Sequence, residues 1–392
     1  MVAIERLNED DLRELSGRTD SAGVLSVYVN ADPAGDANRQ AAEIDLSNRF
    51  RELQRRVSED GAGPGERRAT TAALERVWPQ IQPLAGPIAS GRSRIAFVAL
   101  SGDWSLHLDG AMPVGNRVVL DDGPFIHPLL ELLDEGRPAG VALVSADEIR
   151  IAEWRVGSLR ELSRMEQPYV EAPHERAGQI GGGPQGQYNT PVREQRQTRQ
   201  RDLTQRFLDQ ATGVLTALAG ERGWERILVS GGERWTERAV GGLAQSLRDK
   251  VFADPRNLSG LDEAALTATV SAWAHDQHKD DEQRLLQRVR DAAGNGNAAL
   301  GLSEVAAALN AGRVYRLVYD PEVRYAGTVG ADGAIYGGDE IGPDGRPGAE
   351  EPRLTERLVE RAFETGARIS PVEGAAAGTL SDVDGVAALL RW

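Results

Sequence analysis

The chain has 392 residues, enough for two to four domains, and 40% of them are hydrophobic, enough for ordinary cores. It contains no cysteine, which excludes disulfides and thiolate metal sites. Its 45 basic and 60 acidic residues leave a net charge of −15, which excludes a general nucleic-acid coat protein but not a local basic patch. No apolar run approaches the length of a membrane span, and the segment Met1 to Asp11 is acidic, unlike a signal peptide; a soluble, cytoplasmic protein with no membrane partner is expected.

In chain order, Val24 to Val29 reads as a strand ending at Asn30 to Pro33. A helix from about Ala37 to Val57, a loop from Glu59 to Gly65 and a second helix from about Arg67 to Gln82 form a hairpin. Strands follow at Ile95–Leu100 and Trp104–Leu108, then a helix around Pro128–Leu133. Gly136 to Pro138 reads as a linker, so residues 1–137 form an N-terminal domain. A strand pair, Gly140–Val144 and Glu148–Arg155, opens a middle domain, 138–279. Its later part holds a buried strand at Arg226–Ser230, the pair Gly231-Gly232 and a helix over Thr236–Leu247. The C-terminal domain, 280–392, begins with helices at Gln283–Ala292 and Gly301–Asn310 and a strand at Arg313–Tyr319. Asp320 to Pro352 reads as an irregular insertion. A helix at Leu354–Thr365 and strands at Ala367–Ile369 and Val386–Leu390 close the chain. Strands alternating with helices predict an α/β protein of three domains, each a mixed sheet with packed helices.

Between the second and third strands of the middle domain lies the most unusual stretch, Gly178 to Arg201. Its first half holds Gly178, Gly181, Gly182, Gly183 and Gly186, with Gln179, Gln185 and Gln187 among them. Such a loop buries no core, and glycine gives up the most backbone entropy when ordered. By composition it is a surface linker or a loop held ready to meet something large. The second half begins a helix, with Thr190 as its cap, Pro191 at its first position and Gly220 at its end. Leu203, Phe207, Ala211, Val214, Leu215 and Leu218 form an apolar stripe at helical spacing. The earlier turns have none. Arg193, Arg196 and Arg199 form a row there, with Arg201 close by, so the helix is expected to dock by its C-terminal half and project a basic stalk. Arginines near a helix N-terminus oppose its dipole by about 0.3–1 kcal/mol each, and a polyanion outside the protein would explain them.

Other candidates fall away. Gly181-x-Gly183-x-x-Gly186 has the spacing of a dinucleotide fingerprint, but no buried strand precedes it and Pro184 interrupts it. No Walker lysine follows. Gly231-Gly232 reads as a tight strand-to-helix turn rather than an anion site. His275 and His278 lack a third metal ligand, and Asp121, Asp122 and Asp320 form no acid–base pair. Conventional side-chain catalysis has no candidate, and no metal or cofactor is implied.

The loop and stalk resemble the catalytic region of the archaeal and eukaryotic class 1 peptide-chain release factors and the related peptidyl-tRNA hydrolases of ribosome quality control. In these, a Gly-Gly-Gln or Gly-Gly-x-Gln loop precedes an arginine-rich helix, and Gly182-Gly183-Pro184-Gln185 matches the second form. Gln187, preceded by Gly186 alone, is the alternative glutamine. Further likeness lies in Ile227 to Gly232 with Leu247 to Val251, Gly301 to Val318, Asp384 to Trp392 and Leu25 to Val29. The resemblance implies a bacterial member of this superfamily, with a ribonuclease-H-like middle domain. It implies ribosomal RNA and peptidyl-tRNA as partners, with a translational GTPase as a candidate one. The stop-codon readers' Asn-Ile-Lys-Ser motif has no counterpart between Glu59 and Gly65, so codon-independent hydrolysis is expected. By this likeness Gly182, Gly183 and Gln185 (or Gln187) would hold a water and a developing oxyanion at the ester. Arg193, Arg196, Arg199 and Arg201 would meet RNA phosphates. The alternative implied function is a non-catalytic, hibernation-type factor that occupies the tRNA site.

Overall fold

The computed structural model describes residues 2–31, 39–59, 63–86, 92–167, 189–338, 340 and 348–392. They form two compact units, one of residues 1–137 with 274–392 and the other of residues 138–273.

The N-terminal part of the larger unit is a mixed sheet of β1 (Val2–Ala3), β2 (Val24–Asn30), β3 (Ser93–Ala99), β4 (Ser105–Gly110) and β5 (Arg117–Asp121), in the order β1-β4-β3-β2-β5. Side chains of β2 and β3 are buried on both faces, as continuous apolar runs require, so these strands are central. The edge strand β5 has only three apolar residues and is an addition to the expected elements. So is α1 (Glu9–Ser16), although Asn8 and Asp11 form a reciprocal capping box at its start. The expected hairpin is α2 (Arg39–Glu59) and α3 (Pro64–Ile81); residues 60–62 of its tip lie outside the described residues. Leu46, Phe50 and Leu53 recur at helical spacing on α2, as do Leu74, Val77 and Ile81 on α3, and both sets join one core with β2 and β3. Phe50 stacks on Trp78 with ring centroids 4.3 Å apart. A fourth helix, α4 (His127–Glu135), precedes the linker.

The smaller unit is built on β6 (Ala139–Val144), β7 (Glu148–Arg155), β8 (Ser158–Glu166), β9 (Arg226–Gly231) and β10 (Val251–Asp254), in the order β10-β9-β6-β7-β8. The first three strands form an antiparallel meander, while β9 runs parallel to β6 and β10 to β9. The long α5 (Asn189–Arg222) connects β8 to β9. The single helix expected over Thr236–Leu247 is instead two, α6 (Glu233–Gly242) and α7 (Gln245–Arg248). Gly241 and Gly242 end the first, and Leu243 is extended. Helix α8 (Glu263–Ala293) is far longer than the expected 283–292, because Leu266, Val270 and Ala274 carry a buried stripe through its first half. Both the unit boundary at 273/274 and the expected domain boundary at 279/280 fall within it.

The C-terminal part of the larger unit continues with β11 (Ala298–Leu300), α9 (Gly301–Asn310) and β12 (Val314–Tyr319). The stretch expected to be irregular contains a small antiparallel sheet of β13 (Gly327–Val329), β14 (Ile335–Gly337) and β15 (Ala349–Glu350). Strands of two or three residues are too short to show alternation in a sequence. Then come α10 (Leu354–Glu364), β16 (Arg368–Pro371), α11 (Gly374–Gly378) and β17 (Val386–Leu390). The main sheet has the order β11-β17-β12-β16, and Leu285, Leu286 and Val289 of α8 pack into its core.

Within the larger unit, the carboxyl of Glu131 on α4 is raised to about 9, first by burial and then by its hydrogen bond with the carboxyl of Glu373. Burial likewise raises Glu282 on α8 to about 7. The unfolded chain releases these protons near the ordinary carboxylate value, so between about pH 5 and 9 the folded state binds more protons than the unfolded. Stability must therefore fall as pH rises through that window, by at most about 1.4 kcal/mol per pH unit for each group. Thermal unfolding across pH 5–9 should show this decline, and Glu131→Gln should make it shallower.

Candidate functional site

The loop residues Gly182, Gly183, Gln185 and Gln187 lie outside the described residues, as does the whole of 168–188. The structure does describe both flanks of the loop. On one side, β8 ends at Glu166, and Gln167 N–H donates to Asp147 O at 2.8 Å. On the other, α5 begins at Asn189. Arg193, Arg196, Arg199 and Arg201 all stand on its helical backbone; their side chains lie outside the described residues.

The two flanks meet far from the start of the helix. Gln167 Nε2 donates to Thr204 Oγ1 at 3.4 Å, fifteen residues after the first residue of α5. Those fifteen residues amount to about 22 Å of helical rise. The sheet thus hands the chain to the loop beside the middle of α5, and the loop must rejoin the helix four turns earlier. Every arginine of the expected row belongs to those four turns.

Burial along α5 follows the same division. From Thr204 onward its side chains enter the core: Phe207, Leu208, Ala211, Leu215 and Ala219 are buried with Ala142, Val144, Ile149 and Ile151 of the sheet. Of the expected stripe, Phe207, Ala211 and Leu215 are buried, Val214 and Leu218 pack partly against them, and Leu203 is half-buried. Arg206 is exposed and forms no ion pair among the described residues. The helix starts one residue before the expected cap Thr190 and ends beyond Gly220, at Arg222. Gly223, not Gly220, ends it: its φ of +65° is the left-handed turn, and Trp224 N–H closes back on Ala219 O at 3.1 Å. Trp224 is fully buried, and its Nε1 donates to Glu153 Oε1 at 3.0 Å.

Gly231-Gly232 is the tight strand-to-helix turn that its sequence suggests. A Cβ on Gly231 would lie 2.2 Å from Val144 O, and Gly232 caps α6. Just beyond it is a feature that sequence reasoning misses. The Trp235 ring has the guanidinium of Arg234 at 5.6 Å and that of Arg238 at 6.0 Å. Both arginines are exposed and carry no ion pair among the described residues. Arginines one before and three after a tryptophan on a helix are the available signal.

The remaining candidates are occupied by ordinary contacts. His275 Nδ1 lies 2.7 Å from Glu135 Oε1, and His278 Nε2 lies 3.7 Å from Glu282 Oε1. Among the described residues no group of three or more His, Cys, Asp or Glu could hold a metal ion. Asp121 pairs with Arg353, Asp122 O accepts from Asp20 N–H, and Asp320 Oδ1 accepts from Glu322 N–H. No helix among the described residues is long and apolar enough to cross a membrane.

Residues 124–279, which include the whole second sheet, the loop and α5, match the family model described as bacterial archaeo-eukaryotic release factor family 10. No curated protein matches. Solved structures that this chain is similar to include the archaeal translation termination factor aRF1, at 18% identity over 98% of this chain and 99% of that one, with a TM-score of 0.24. Another is Dom34 of S. cerevisiae, a translation termination-like factor, at 10% identity over 76% of this chain and 79% of that one, TM-score 0.41. A third is Archaeoglobus fulgidus Pelota, at 15% identity over 76% and 79%, TM-score 0.31. Residues 124–279, the segment that carries the loop and α5, are thus similar to the bacterial archaeo-eukaryotic release factors of family 10.

Proposed function

We propose that this protein is a codon-independent, release-factor-like peptidyl-tRNA hydrolase that acts on stalled ribosomes or on obstructed large subunits. The likeness of residues 124–279 to the bacterial archaeo-eukaryotic release factors supports a factor of the translation termination and ribosome rescue type. We read residues 1–137, 138–279 and 280–392 as its N-terminal, ribonuclease-H-like middle and C-terminal domains. Gln185 positions a water for attack on the ester, and backbone N–H groups around Gly182 and Gly183 stabilise the oxyanion. The ribosome and the tRNA complete the site. The reading is carried by one observation: the Gly182-Gly183-Pro184-Gln185 loop precedes a helix whose first four turns lie beyond the point, at Thr204, where β8 is fastened to it. Exposed and unpaired Arg206, Arg234 and Arg238 on the same unit support contact with a polyanion.

The test is release of labelled peptide from purified ribosomes bearing peptidyl-tRNA without a stop codon. The protein should accelerate release. Ribosome binding should weaken steeply with salt. Replacing Arg193, Arg196, Arg199 and Arg201 with alanine should flatten that dependence, by up to about 0.7–0.9 in slope for each phosphate no longer neutralised. Pro184, between the glycine pair and the glutamine, favours a second reading: a non-catalytic factor that occupies the tRNA site. Tight, salt-sensitive binding without release would establish it.

A further inference from the structure

A cavity of about 350 Å³ lies in the larger unit between α2, β5, the Pro321–Arg324 turn and the start of α10. Arg49, Arg56, Arg117, Arg324 and Arg353 line it, against Asp121, Glu322 and Glu356. Each carboxylate is already matched. Asp121 Oδ1 lies 2.9 Å from Arg353 Nε, Glu322 pairs with Arg117, and Glu356 Oε1 lies 3.4 Å from His127 Nε2. Arg49 turns its Nε to Asp45, at 2.8 Å, which is not part of the lining. Arg56 and Arg324 make no ion pair or hydrogen bond among the described residues, and Arg56 has only a longer-range attraction to Glu52 one helical turn away.

These two guanidinium groups come from α2 and from a turn 268 residues later, yet they reach one concavity. With five arginines against three carboxylates, the lining favours an anionic ligand over a cationic one. The surroundings indicate which anion. Helix α10, of eleven residues, begins at the cavity; Arg353 at its cap provides no side-chain hydrogen bond, and the Glu356 carboxylate in its first turn accepts from its own backbone N–H. Also in the lining, His127 is 2% exposed; its Nδ1 meets the Tyr319 hydroxyl at 2.7 Å, and its Nε2 faces Glu356 Oε1 at 3.4 Å. Planar guanidinium forks suit a group with several acceptor oxygens.

We propose that this cavity binds a phosphate group, with Arg56 and Arg324 closing on its oxygens above Arg353 and the start of α10. The size suits a small phosphorylated ligand or one phosphate of a single strand.

Calorimetric titration of the full chain with pyrophosphate at low salt tests this without ribosomes, so its failure is distinct from that of the hydrolase reading. One site should be seen, and Arg56→Gln with Arg324→Gln should weaken it at least tenfold. Both side chains are exposed, so folding should survive. The charge-matched pair Arg68→Gln with Arg160→Gln, at exposed positions outside the cavity, should leave affinity within twofold. Absence of a pyrophosphate site, or equal losses in the two double variants, would overturn the proposal. Competition by a short single-stranded RNA would identify the phosphate as one of a nucleic-acid backbone. Failure of the RNA to compete would assign the site to a small phosphorylated ligand.

Discussion

Replacing Gln185 with alanine should lower peptide release from ribosome-bound peptidyl-tRNA by about 100- to 1,000-fold, the range seen when one preorganised oxyanion or water-orienting donor is removed. Ribosome affinity should change by less than twofold, because the contacts proposed for RNA are arginines of α5 and α6 rather than the glutamine. The expectation is sharp because nothing else nearby is suited to the chemistry. The sequence has no nucleophile elbow, and the described residues hold no metal cluster. Gln187→Ala serves as the register control. If it causes the loss and Gln185→Ala does not, the working amide lies two residues later. If release survives both substitutions, the mechanism is wrong.

Trp224→Ala should carry the largest stability cost, about 3–5 kcal/mol, the range for a buried aromatic truncated to alanine. The backbone N–H that closes α5 is kept by alanine, but two side-chain roles meet in Trp224: its ring is fully buried, and its indole donates to Glu153. Gly140 leaves the room it needs: a Cβ there would lie 2.3 Å from Trp224 Cε3. Gly140→Ala should therefore destabilise the same sheet from the opposite side of the contact. Hydrogen exchange of the β6 and β9 amides in the full chain would read both effects. Trp392→Ala, at a side chain 66% exposed, should leave those amides unchanged. A fall in protection under about 1 kcal/mol in Trp224→Ala, well short of that range, would show that the core tolerates the loss of the ring.

Legibility in the sequence follows burial. Strand β17 is a continuous apolar run and β2 nearly so, broken only by Ser26 before its closing Asn30, α9 opens on a glycine after a strand, and sequence patterns place all three within about a residue. Strand β8 escapes such patterns, because Ser158–Glu166 is mostly polar. It is an edge strand whose partner β7 carries a register shift at Ile151/Ala152, and the Arg150–Glu161 and Arg164–Glu148 pairs hold it across the ladder. The first half of α8 escapes them because its buried residues are mixed with alanines and charges. At the candidate site, the glycine-glutamine motif and the arginine row are local patterns and can be read directly. The Gln167–Thr204 contact cannot, since two ordinary polar residues 37 positions apart carry no signal until the sheet brings them together. The phosphate cavity is invisible for the same reason: Arg56 and Arg324 are unremarkable singly.

That fastening has a consequence for how the protein can change. Residues 168–188 are 21 in number and can reach about 70 Å of contour, about three times the distance they must cover. Removing or adding several would alter the closure entropy by only a few tenths of a kcal/mol. The contact at Thr204 therefore sets no tight limit on the length of this segment.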